Sequence, residues 1–455
     1  MNIRLLSLAI ILFCLLIGGK VDSILGQDLQ TVHENPEIIF PVNGVYPNLS
    51  VMGPHTGRSE SGIGALLPWA DKLWMIGYVA HIHGSRIGLY EIDKSMQMRK
   101  HPESVTGTFA NRFSKQGLDL AIIGPHLIDT TGHVRTYEEL ARHRLAATME
   151  HLEQPQSMVY FLTMEGQFFE ASLEEDMTVT HLFDLNEKLE LPEGARPHYK
   201  DAFTANGRVV IANNTYHHEE YRGERRGGRL AEWDGSEWRI ISRQPFTEVE
   251  GKTSGQYQHP IYATGLDSKS VILYNFNSIS GVWQRYRLPK GSHSFDHAWN
   301  TEWMRIREAQ TERFIMDVHG LFYELPMMNY DGKVWGIKPI SYHLRLIPDF
   351  CFWRGMFVMA SDQTDHGVGQ PQSGLRFTYI DELWSYGKPQ DWGAVWQKED
   401  VESGAVSDPF LMTGFDKKSL HLSYDLPHPV TFRIRVDFIG DGTFETYKEI
   451  VVPAD

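Results

Sequence analysis

Residues 198–243 hold two tight-turn dipeptides, Asn206-Gly207 and Asp234-Gly235, each flanked by short runs rich in β-branched and aromatic residues. Asn-Gly and Asp-Gly accept the positive φ angles of a two-residue hairpin turn, so each one sets the pairing of the strands around it. Residues 198–205 read as a first strand, 208–216 as a second, Arg229–Trp233 as a third and 237–241 as a fourth. Four antiparallel strands in about 45 residues make a sheet too small to bury a core alone, so such a unit folds by stacking on others like it.

The pattern recurs with drift at 63–93, 145–185, 258–289, 301–340 and 349–384, while 105–143 is the least regular stretch and 410–438 suits a further unit or a closing sheet. With 40 Gly, 22 Pro and 12% aromatic residues, the composition suits a turn-rich β protein better than a helix bundle. We expect an all-β chain, a seven-bladed β-propeller over 37–440, with six or eight blades as the neighbouring counts and a pair of β-sandwiches as the competing fold. Closing the circle would remove exposed sheet edges, with a strand near 37–52 pairing with the end of the chain. The tail 441–455, containing ETYKEIVVP, reads as a short appended β element.

Residues 1–26 have the order of an export leader: Arg4, an apolar run from Leu5 to Gly19, then small and polar residues through Gly26. An uncleaved anchor is the alternative. Cleavage would place the mature protein outside the cell or in the periplasm, without a membrane span and with Cys351 as its one cysteine, so no internal disulfide is expected. The 455 residues carry 43 Lys+Arg against 58 Asp+Glu, a formal net charge of -15. That balance counts against a nucleic-acid partner and mildly against an anionic polymer, although a local field can oppose the global one.

In a propeller the first strand of each blade starts at the face where the second ends, so polar residues at those places converge around the central opening. Several histidines fall there: His55 and His83 in the first unit, His198 and His218 in the unit from 198, His259 beside Tyr257 in the unit from 258, and His297 and His319 in the unit from 301. Glu302, Trp303 and Arg305 lie in the same lead-in, and Asp349 and Asp362 occupy the matching places of the unit from 349. Imidazoles gathered in one depression suit proton transfer near neutral pH, or a divalent metal, while Trp rings suit sugar stacking. There is no HExxH motif and no close metal-ligand spacing, so metal ligands stay unassigned.

The leader, the blades and the His198/His218 pair together resemble the secreted β-propeller polysaccharide lyases that cut ulvan, and the related propeller rhamnosidases. GPHTGRSESGIGALLPWADKLW and SFDHAWNTEWMRIREAQTERFIMDVHGLFYELP also resemble segments of uncharacterised exported bacterial proteins. The lyase resemblance implies a glycan substrate containing uronate and no required cofactor, although it admits a divalent metal. It implies His198 and His218 as the catalytic pair, with Tyr257 or Tyr262 as the tyrosine and Arg287 or Arg285 as the arginine that holds the carboxylate. The blade-edge placement adds His297 and His319 as catalytic candidates and His55, His83, His259, Glu302, Trp303 and Arg305 as substrate contacts. Cleavage would proceed by β-elimination in the lyase case and by hydrolysis in the rhamnosidase case. A non-catalytic propeller that binds a glycan or a protein, and a metal-dependent propeller enzyme, are the competing functions.

Overall fold

The fold comes from a computed structural model that describes residues 48–50, 61–79, 88–115, 117–216, 226–252, 259–290, 304–310, 313–318, 320–328, 336–343, 347–360, 362–363 and 374–454. Seven antiparallel sheets follow one another along the chain, and a two-stranded hairpin comes last. Blade 4 shows how the sequence builds a sheet. Strands Tyr199–Ala205, Arg208–Asn213, Arg229–Trp233 and Trp238–Ser242 pair in chain order. The first turn is made by Asn206 at φ 53° and Gly207 at φ 71°, the left-handed pair that the Asn-Gly dipeptide foretold. At the second turn the Asp234 carboxylate accepts hydrogen bonds from the Ser236 and Glu237 amides, holding the chain in the reversal.

The innermost strands pack in the order Ser61–Trp69, Arg112–Ser114, Leu145–Glu150, Tyr199–Ala205, Phe246–Gly251, Met304–Gln310 and Phe350–Trp353, with the last returning to the first. Asn48–Ser50 closes the circle, pairing antiparallel with Gly374–Thr378 as the outer strand of blade 7. The circle is therefore closed by a strand from the expected N-terminal segment, but its partner is the third strand of blade 7 and not the end of the chain.

Each seam between blades is filled by large side chains from both sides. Tyr160, Phe168, Tyr199, Ile211 and Trp233 join blades 3 and 4, and Val210, Phe246, Ile261 and Phe276 join blades 4 and 5. Blades 7 and 1 meet through Ile63, Leu66, Met75, Cys351, Val358 and Leu375. Burying side chains of this size contributes about 1.5–3 kcal/mol each, so the seams carry most of the cohesion. Gly64 marks how close blades 1 and 2 come, since a Cβ there would sit 1.9 Å from the Phe109 carbonyl oxygen.

The structure moves two of the sequence boundaries. The unit read from 258 begins earlier, because Phe246–Gly251 is the innermost strand of blade 5 and Ile261–Leu266 is only its second. The irregular stretch 105–143 holds blade 2, whose strands are three or four residues long. Beyond Thr378 the chain runs along the outside of blades 5 and 6, then forms the hairpin Val430–Val436/Glu445–Val452, which spans the expected 440/441 boundary. Among the described residues, no helix is long and apolar enough to cross a membrane.

Candidate functional site

Apart from Ser61 and Gly62, which pair with Gln363 and Asp362, the described innermost strands have a sheet neighbour on one side only, so part of their backbone N–H row has no strand to pair with. Carboxylates from the preceding blade fill this gap. The Val249 amide donates to Asp201 (3.1 Å), the Ile306 amide to Glu248 (2.8 Å) and the Leu66 amide to Asp349 (2.7 Å). These contacts link blade 4 to 5, 5 to 6 and 7 to 1. Between blades 2 and 3 the side-chain amide of Asn111 donates to Thr148 Oγ1 (2.7 Å) and to the Gly124 carbonyl (2.8 Å).

Three guanidiniums neutralise these acids. Arg307 reaches Asp349 (2.8 Å), Glu248 and Glu250 (3.4 Å). Arg305 pairs with Glu248 (2.9 Å) and donates to the Pro348 carbonyl. Arg112 lies 3.7 Å from Asp349 and donates to the Leu66 carbonyl (2.7 Å). Glu248 and Asp349 have no exposed side-chain surface. The result is a charged collar around the axis, drawing side chains from blades 2, 4, 5, 6 and 7.

Burial raises the Asp349 carboxyl, but Arg112, Arg307 and Arg305 outweigh it and hold the group below the usual carboxylate range. Burial and the neighbouring Glu248 push Asp201 well above that range, and burial brings Glu250 up to about 7 against the pull of Arg307 and Arg112. Desolvation opposes the charge on Arg307, but Glu248, Asp349, Glu250 and Asp201 overcome it and hold the guanidinium firmly ionised. Arg112 of blade 2 and Arg307 of blade 6 both lie beside Asp349 of blade 7, which brings charges from three blades together at the axis.

Above the collar, at the face where the innermost strands begin, blade 4 presents a polar group. His198 directly precedes the first strand, and its ring meets that of Tyr216 edge-on, with centroids 5.8 Å apart. Exposed Arg196 is bridged to Tyr216 through the backbone, its amide donating to the Tyr216 carbonyl (2.7 Å). In blade 6, buried His343 contacts Asp317 through Nε2 (2.9 Å) at the same face. In blade 2, His126 is fully buried against Thr136 (2.9 Å). Desolvation, with a smaller push from His101, lowers it to about 3, so it stays neutral and structural.

Three of the expected substrate contacts are placed elsewhere than at that mouth. His259 precedes the second strand of blade 5, at the opposite end of the sheets from His198. Its carbonyl accepts from Asn206 in the far hairpin turn (3.3 Å), and its Nδ1 contacts the Met327 carbonyl (2.7 Å). Arg287 sits in an outer strand, 2% exposed, bonded to Asp408 (2.8 Å), Asp267 (2.9 Å) and Ser270, where it ties the segment after blade 7 to blade 5. Arg305 belongs to the collar. The alternative Tyr262 is buried and donates to the Pro326 carbonyl (2.8 Å), and Arg285 lies beside Asp408 (3.3 Å) on the outside. Asp349 is likewise an inter-blade link. His259 was misplaced because the true first strand of blade 5 was overlooked, which inverts the polarity of every strand after it.

The other candidates, His55, His83, His218, Tyr257, His297, Glu302, Trp303 and His319, lie outside the described residues, as do the leader 1–26 and the Asp362 side chain. Of the described histidines at this face, sequence reasoning named His198 and overlooked His343. It also overlooked Glu248, Glu250 and Arg307. Their signal was available: Glu248/Glu250 and Arg305/Arg307 are like charges two apart in strands, which puts each pair on one side. Among the described residues no group of three His, Cys, Asp or Glu could hold a metal ion. An open groove of about 560 Å³ on the outside is lined by Asp267, Lys269, Arg285, Trp396, Glu399 and Asp408, charges of both signs.

No protein-family model matches the chain, and no curated protein does. Among solved structures it is similar to the β-propeller domain of Cps50 (Swd1) from Myceliophteria thermophila, at 11% identity over 72% of this chain and 99% of that one, with a TM-score of 0.38. It is also similar to the WD40 repeats of RRP9 (9% identity, 75% and 99% covered, TM-score 0.43) and to the WD40 β-propeller domain of Doa1 (8%, 75% and 99%, 0.41). The blade count itself rests on the sheet order given above.

Proposed function

We propose that the chain is an exported, carbohydrate-active β-propeller that cleaves a uronate-containing glycan at the face where its innermost strands begin. The observation that carries this is the edge-on contact of His198 and Tyr216 beside exposed Arg196. It supplies the types of group that an elimination needs. Arg196 neutralises the uronate carboxylate, which acidifies the adjacent C5 proton. His198 removes that proton, the electron pair forms the C4–C5 double bond, the C4–O bond breaks, and Tyr216 protonates the departing oxygen. His218, His297, His319, His55, His83, Glu302, Trp303 and Tyr257 would complete the site from neighbouring segments. No cofactor is required by this chemistry.

Incubation with a panel of uronate polysaccharides tests it. New ultraviolet absorbance marks the unsaturated product of elimination, and reducing ends without absorbance mark hydrolysis. We expect His198→Ala to abolish turnover while leaving thermal unfolding nearly unchanged, since the ring is half-buried at the mouth. A non-catalytic glycan- or protein-binding propeller is the second candidate. It is favoured by the engagement of the axial charges in holding the blades together, and binding without product would establish it. Metal found by elemental analysis of protein purified without added metal would favour a metal-dependent enzyme.

A further inference from the structure

We propose that the open groove on the outside of blade 5 is a second binding site, separate from the mouth, for a neutral, hydroxyl-rich ligand: a segment of an oligosaccharide chain. One wall belongs to the propeller, and is built from Gln244, Asp267, Lys269, and Arg285 and Arg287 of the outer strand Val282–Leu288. The other is the segment 395–408 after blade 7, which contributes Trp396, Glu399 and Asp408. Binding here does not depend on cleavage at the mouth.

The groove is set before any ligand arrives, because the segment is fastened at both ends. At one end the Lys290 amide donates to the Trp392 carbonyl (2.9 Å), and the Ala394 amide to the Lys269 carbonyl (2.9 Å). At the other the Arg287 amide donates to the Pro409 carbonyl (2.7 Å), and the Leu411 amide to the Arg287 carbonyl (2.8 Å). Between these points residues 395–408 stand off from the sheet and leave about 560 Å³. A cleft of this size suits a small ligand, and walls already fixed lower the entropy cost of binding.

The lining selects the ligand. Its charges are already matched: Arg287 with Asp408 (2.8 Å) and Asp267 (2.9 Å), Arg285 beside Asp408 (3.3 Å), and Lys269 with Glu399 (3.0 Å). Three cations thus meet three carboxylates inside, and exposed Asp400 and Glu402 add negative charge at the rim. An anionic ligand would have to break an ion pair and pass those two acids, which disfavours it. Hydrogen-bonding capacity remains. Arg285 Nε has no hydrogen-bond partner among the described residues, and the side chain is 31% exposed, so the guanidinium keeps N–H donors for a hydroxyl or ring oxygen. Gln244 brings a carboxamide that donates and accepts, and the paired carboxylates keep lone pairs for hydroxyls. Trp396, with exposed Val401 and Val406, adds an apolar side. A pyranose has apolar C–H faces and hydroxylated edges, which is the combination these walls present.

Native gels of the full chain cast with xyloglucan, galactomannan or laminarin test this, with alginate as the polyuronate for comparison. We expect at least one neutral polymer to retard the wild type, and His198→Ala to be retarded equally. Gln244→Ala and Trp396→Ala, one from each wall, should each weaken retention about tenfold, the effect of removing one good contact. Their thermal unfolding and tryptic pattern should stay those of the wild type. Retention by alginate alone, retention by none of the neutral polymers, retention lost in His198→Ala, or retention unchanged in Gln244→Ala would each overturn the proposal. Gln244 belongs to the propeller, so its result decides even if Trp396→Ala loosens the segment.

Discussion

Replacing Arg307 by Leu removes the cation that joins three blades while keeping an apolar side chain in its place. Glu248 and Asp349 have 0% side-chain exposure and Arg307 8%, so neither water nor movement offers an easy substitute. Removing one partner of such a buried set costs about 3–5 kcal/mol, because the remaining charges lose compensation. The unfolding entropy of a chain of 455 residues is about 1 kcal/mol/K, so the expected fall in Tm is roughly 3–5 °C. Differential scanning calorimetry at a fixed scan rate measures it. Arg307→Lys should recover part of the loss, since an ammonium keeps the charge but cannot span Asp349 and Glu248 with a planar fork. Adding Asp349→Asn to Arg307→Leu should also recover part, since Asn still accepts from the Leu66 amide without an unmatched charge. A loss below about 1 kcal/mol for Arg307→Leu, or no recovery in the double variant, would refute the view that uncompensated charge sets the cost.

Asp349 lies below its usual range, so its contribution is fully present above the unfolded carboxylate value and is lost as the pH falls through its folded value; acid unfolding should begin at higher pH in Asp349→Asn than in the wild type. His126 is lowered to about 3, so its neutral form favours the folded state above about 6.5 and this advantage shrinks as the pH drops toward 3; His126→Gln should flatten stability in that window, measured by urea midpoints. Arg287→Ala frees Asp408 and Asp267 and should make residues 390–410 the first site of limited proteolysis, located by mass spectrometry. Deleting residues 430–454 should leave the main thermal transition within about 1 °C, because the hairpin strands pair only with each other and are largely exposed.

Much of the architecture was legible because local chemistry announces it. Asn206-Gly207 and Asp234-Gly235 mark hairpins by themselves, and a continuous β-branched run such as that in Arg208–Asn213 marks a strand buried on both sides. Blade 5 shows where this fails. Its innermost strand FTEVEG carries glutamates where a buried strand should carry aliphatic residues, so it reads as a loop until Arg305 and Arg307 of the next blade are brought beside it. Missing that strand inverted the chain direction for the rest of the blade and sent His259 to the wrong end.

The sequence by itself determined the strand-and-turn grammar, the approximate blade number and the placement of His198 at a strand entrance, because turn preference and side-chain alternation act over a few residues. Only the tertiary structure decided which charges meet. Asp201 and Val249 are 48 residues apart, Leu66 and Asp349 are 283 apart, and their contacts exist because a closed circle of sheets brings one blade's side chain to the free backbone edge of the next. Whether a buried carboxylate is paired, protonated or left to react depends on that neighbour, and nothing within a few residues of it in the chain carries the information.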